Sequence, residues 1–93
     1  MTRRVLKFGL LAGTSEIETA DEPRWLAAGW QGDNLVVWCE ATPGAGVRRA
    51  VAAVPTGSPT PTPDEHAVYV GTAMHPTLLD GKPLVVHVYA QES

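Results

Sequence analysis

A single cysteine among 93 residues, Cys39, rules out an intrachain disulfide. Small secreted domains usually depend on such bridges, so a reducing interior is the expected setting. Long apolar runs are missing too. No stretch approaches the ~18 apolar residues of a membrane span, and Lys7 interrupts the opening run before it could form the apolar core of a signal peptide. The expectation is a soluble protein with no membrane partner. Basic charge is scarce and scattered. Seven Lys and Arg against ten Asp and Glu leave a net charge of −3, whereas a nucleic-acid surface gathers its cations into a stripe. The Arg48-Arg49 pair reads as one exposed and one snorkelling strand residue, and nucleic acid is not an expected partner.

Turn-forming residues, by contrast, are plentiful: nine Gly and eight Pro, four of the prolines between Pro55 and Pro63. With 44% apolar residues this composition fits many short strands around one core, a single domain over 1–93. Apolar residues recur with a period near two. Leu6, Phe8 and Leu10 share a face of a strand from Arg4 to Leu10. Ser15 to Thr19 alternates around Ile17 between Glu16 and Glu18, charges that suit a sheet edge. Arg24 to Gln31 and Leu35 to Thr42 flank Gly32-Asp33-Asn34, a hairpin signal. In the second arm Leu35, Val37 and Cys39 face one way and Val36, Trp38 and Glu40 the other. After Pro43-Gly44-Ala45-Gly46, a strand from Val47 to Val54 is expected to pair back on that arm. Thr56 to Pro63 must be a loop, because its prolines have no ladder donors. A strand from His66 to Ala73, a loop from Met74 to Pro83 and a strand from Leu84 to Ala90 complete the chain. In the last strand Leu84, Val86 and Val88 oppose Val85, His87 and Tyr89. The expected fold is all-β, a small antiparallel sandwich or partly open barrel of about seven strands.

No catalytic, cofactor-binding or metal-ligating set emerges. Cys39 stands mid-strand among apolar residues, where free cysteines act as small hydrophobes. His66, His75 and His87 lack ligand spacing, and the carboxylate pairs Glu16/Glu18 and Asp64/Glu65 suit solvated edges. Gly44 and Gly46 precede no helix and no Lys or Ser/Thr of a phosphate loop. Three tryptophans stand out for so short a chain. Trp38 is expected in the core, and one of Trp25 and Trp30 is expected partly exposed, where such a ring can anchor contacts. Trp25, Trp30, His87 and Tyr89 are the candidate protein-contact residues.

Four segments resemble an uncharacterised family of small proteins found chiefly in bacteriophages and prophages, a domain of unknown function. They are Gly32-Asp33-Asn34-Leu35-Val36-Val37-Trp38, Val54-Pro55-Thr56-Gly57-Ser58-Pro59, Tyr69-Val70-Gly71-Thr72 and Leu84-Val85-Val86-His87-Val88-Tyr89. With the initial Val5-Leu6-Lys7-Phe8 they span most of the chain, and their order carries the likeness. Pro55 stands where that family tends to have Gly, and Val86 where it tends to have Trp, so of an aromatic-His dyad only His87 is kept. The resemblance implies a phage-encoded accessory protein and brings no activity with it. The leading expectation is a non-enzymatic protein that binds or modulates a host protein in the cytoplasm of an infected bacterium. The alternative is a small virion structural or decoration protein. An enzyme that uses Cys39 or His87 as a thiol or metal centre ranks below both. No cofactor is expected, and homo-oligomerisation stays open.

Overall fold

Alternating apolar residues punctuated by turn dipeptides produce seven strands and no helix in the computed structural model, which describes residues 2–11, 13–59 and 67–91. The strands are β1 (Arg4–Gly9), β2 (Gly13–Thr19), β3 (Arg24–Gln31), β4 (Asn34–Ala41), β5 (Val47–Pro55), β6 (Ala67–Leu79) and β7 (Lys82–Gln91). They form two antiparallel sheets, one ordered β1-β4-β3 and the other β2-β5-β7-β6. The sheets pack as a sandwich and do not close into a barrel. The expected edge strand is β2, which pairs only with β5.

Arg24–Gln31 is a strand, and it turns into β4 through two residues, with Gln31 opposite Asn34. Gly32 has φ 59°, which the first central position of this tight turn requires and a side chain would resist. One pairing differs from expectation. The strand after Pro43–Gly46 does not fold back on β4. It crosses to the other sheet and lies between β2 and β7. Gly44 and Gly46, at φ 139° and 130°, give the backbone the freedom for that crossing. The second difference is in length. Met74 to Pro83 is not a loop: β6 continues to Leu79 and returns through the turn Asp80-Gly81. Both turn residues have positive φ, the pattern of a type I′ hairpin turn. Pro76 falls where the β6 register is irregular, on a strand at the sheet edge, where a missing donor is tolerated. Thr56 and Gly57 begin the expected loop with a turn closed by Ser58 N–H donating to Pro55 O, 3.1 Å. The rest of that loop, and His66, lie outside the described residues.

The core lies between the sheets. Ile17, Leu35, Val37, Val51, Val86 and Val88 are its larger buried side chains, with Ala53, Ala73 and Ala90 between them. Burying each valine or leucine stabilises the fold by roughly 1.5–3 kcal/mol. Phe8, Leu10, Trp25 and Trp30 pack around this centre. At one end two sheet-crossing links are tied together. Ala20 N–H donates to Thr42 O at 2.9 Å. The Asp21 carboxylate accepts from Thr42 N–H at 2.8 Å and from Thr42 Oγ1 at 2.6 Å.

Candidate contact face

Cross-strand register decides which side chains reach solvent. On β7 the inward residues Val86, Val88 and Ala90 are buried, which leaves Val85, His87 and Tyr89 outward as expected. Opposite them on β6 stand Tyr69 beside Tyr89, Thr72 beside His87 and Met74 beside Val85. Val70 is the extra residue of a bulge between Tyr69 and Gly71, so Thr72 and Met74 keep the outward face after it. Tyr69 is 58% exposed and Met74 65%. The two tyrosine rings meet edge to face at 5.7 Å. Two aromatic rings, a methionine and a valine thus flank one histidine on the outer face of the four-stranded sheet.

That histidine is held on both sides. His87 Nε2 lies 2.8 Å from Thr56 Oγ1, and Nδ1 lies 2.9 Å from Thr72 Oγ1, which is itself bonded to the Tyr69 hydroxyl. A consistent assignment has Thr56 Oγ1 donating to Val85 O and accepting from His87 Nε2–H. Nδ1 then accepts from Thr72, and Thr72 from Tyr69. A threonine beside a histidine suits nucleophile and base. Here, however, the other ring nitrogen meets a second hydroxyl rather than a carboxylate, and the set lies on an open sheet face. What the network achieves is a surface with fixed side-chain positions.

Trp38 departs from the expectation, whereas Trp25 and Trp30 are both half-buried, so a partly exposed ring among them is found. Trp25 and Trp30 stand opposite Cys39 and Leu35 on the inward side of β3, and both rings pack against the core. Their indole nitrogens are buried and find no hydrogen-bond partner among the described residues. Trp38 is the outward one. It shares the outer face of the three-stranded sheet with Val36, and its ring lies over Gly29, where a Cβ would come within 3.3 Å. Lys7 Nζ donates across β4 to Gln31 Oε1 at 2.7 Å, and Val36 is buried.

Cys39 is fully buried, and burial pushes its thiol pKa up against a smaller opposing pull from Arg3. His75 faces the opposite side of its sheet from His87, so the two do not converge. Among the described residues no three His, Cys, Asp or Glu side chains come together as a metal site. Arg48 pairs with Glu18 at 3.1 Å and with Glu16 at 3.6 Å, and Arg49 pairs with Glu22. Arg48 is exposed and Arg49 largely covered, so the basic pair is used internally, as its strand position suggested.

Thr72 and Met74 could not be placed from sequence, because the β6 bulge resets the alternation. The Tyr69 hydroxyl two turns of the pleat from His87 gave no linear signal either. The family model described as Domain of unknown function (DUF7352) matches residues 1–93. The chain matches no curated protein and no solved structure.

Proposed function

The chain belongs to the DUF7352 family, and we propose that it is a non-enzymatic, phage-encoded accessory protein that works by protein–protein contact, host-directed rather than structural. The observation that carries this reading is the outer face of β6 and β7. Tyrosine and methionine are enriched where proteins meet, and here Tyr69, Tyr89 and Met74 lie together around a histidine fixed by two threonines. A surface set in advance loses less side-chain freedom on binding. The phage origin rests on the resemblance of the four segments, and the contact residues carried by this reading are His87 and Tyr89 with Tyr69 and Met74. Trp25 and Trp30 would act through the core that supports the sheet.

The test places a photo-crosslinking residue at Met74 and, as a control, at Leu26, which is exposed on the other sheet. In producing cells, a discrete host protein crosslinked from position 74 and not from position 26 is expected. Mass spectrometry of purified particles should find the protein absent. Stoichiometric presence in particles would favour the decoration role, and equal crosslinking from both positions would remove the assignment of the face.

A further inference from the structure

A second feature lies at the end of the sandwich that holds the Gly32-Asp33 turn. A cleft of about 560 Å³ opens there between the sheets, walled by Leu10, Trp30, Leu35, Val54, Leu84 and Val86. Its volume falls within the roughly 300–1,000 Å³ of small-molecule sites. We propose that this cleft binds a small, uncharged molecule with an apolar body and a hydrogen-bonding end.

The sequence builds the space. Gly13 stands opposite Ala53 at this end of the β2–β5 pair, whereas farther along the strands Val51 lies opposite Ser15 and Ile17 fills the core opposite Arg49. Gly13 has φ 88°, a backbone that resists any side chain, so the gap cannot readily be filled from β2. The wall is also fixed in advance. His75 Nδ1 accepts from Thr77 N–H at 3.2 Å, which leaves Nε2–H to donate to Asp33 Oδ1 at 2.8 Å. Held at both nitrogens, the imidazole sets its edge against Trp30, centroids 5.2 Å apart and planes at 87°. Trp30, part of the cleft wall, is therefore braced from behind by a fixed ring. The polar part of the lining defines the ligand. Among the described residues Asp33 is its one charged group, and Thr14, Asn34 and Ser58 are neutral. A lone carboxylate repels anions and accepts from a ligand donor, while the remaining wall rewards apolar surface.

The experiment titrates the intact chain with the neutral fluorophore N-phenyl-1-naphthylamine, read by energy transfer from tryptophan. Saturable one-to-one binding and a raised Tm are expected. The anionic analogue 8-anilino-1-naphthalenesulfonate should bind about tenfold more weakly, on the charge of Asp33. Ala53→Leu fills the cleft and should weaken the neutral probe by about tenfold or more, the effect of displacing a bound apolar group. Leu11→Glu, at an exposed position on the mouth, should do the same without touching the core. If Ala53→Leu fails to fold, Leu11→Glu decides alone. Met74→Asp lies on the contact face and should leave probe binding unchanged, so loss of that face and loss of the cleft are told apart. Non-saturating binding, equal affinity for the anion, or unchanged binding in the cleft variants overturns the proposal.

Discussion

Cys39 stands between Leu6 on β1 and Trp25 on β3, with no exposed surface. A thiol reacts as its thiolate, and burial disfavours that form. A thiol reagent such as 5,5′-dithiobis(2-nitrobenzoic acid) should therefore label the native protein slowly and the denatured protein at once. Rapid native labelling would place the thiol within reach of solvent and reopen a nucleophilic role. The inward position of Cys39 was legible because Leu35, Val37 and Cys39 alternate with polar or bulky neighbours. The same alternation put Trp38 outward with Glu40, yet a large aromatic ring suggested core. What the linear pattern lacked was Gly29 on the adjacent strand, whose bare backbone gives the ring an apolar seat on the sheet exterior. Trp25 and Trp30 turned inward for the converse reason. The bulge at Leu26 resets the alternation, and it puts both rings on the face of Cys39 and Leu35.

At the scale of the strand, β7 offers the sharpest test of register. Val86 is buried between the sheets and His87 faces outward. Val86→Asp should abolish folding, because an unpaired buried carboxylate costs several kcal/mol, about the whole stability of a domain of this size. His87→Gln keeps a polar side chain between Thr56 and Thr72 and should change stability by less than about 1 kcal/mol. Circular dichroism and urea unfolding of both variants check this. A tolerated Val86→Asp beside an unfolded His87→Gln would mean a one-residue slip of the strand. The seven strands themselves were legible from period-two alternation and Gly or Pro punctuation. Their partners were less so. A five-residue link suits a hairpin as well as a crossing, and only cross-strand chemistry separates the two. That chemistry is present in Glu16 and Glu18 of β2 beside Arg48 of β5, but such a pair gains meaning only once the strands are side by side. His87 and Tyr89 could be assigned to a face from their own strand. Their neighbours Thr72 and Met74 depended on a bulge in β6, and the cleft depended on both sheets.

Across the whole molecule, the two links that cross between the sheets at one end meet at the Asp21 carboxylate. Asp21 belongs to the link from β2 to β3, and it accepts from the backbone and hydroxyl of Thr42, which opens the link from β4 to β5. Arg3, from the N-terminal segment, adds an ion pair at 3.2 Å. Thr19 Oγ1 donates to Asp21 O at 2.6 Å, and both Thr19 and Thr42 are buried. The Thr42 hydroxyl, then its backbone N–H, then Arg3 hold the Asp21 carboxyl below its ordinary value of 3.8. Between the folded and unfolded pKa values the unfolded chain binds more protons, so stability rises with pH there. The contribution is complete above the unfolded value and is lost as pH falls through the folded one. Asp21→Asn keeps one acceptor oxygen but meets Thr42 or Arg3 with an amide nitrogen that can only donate. The variant should unfold at lower urea than the wild type at pH 7, and the gap should close as the pH falls below the ordinary value of 3.8 and through the lowered folded one. Urea midpoints of the two proteins measured at the same series of pH values give the gap directly. A gap that stays constant down to low pH would mean that the corner is held by the backbone bond from Ala20 to Thr42 and by packing, with the Asp21 charge contributing nothing to the joining of the sheets.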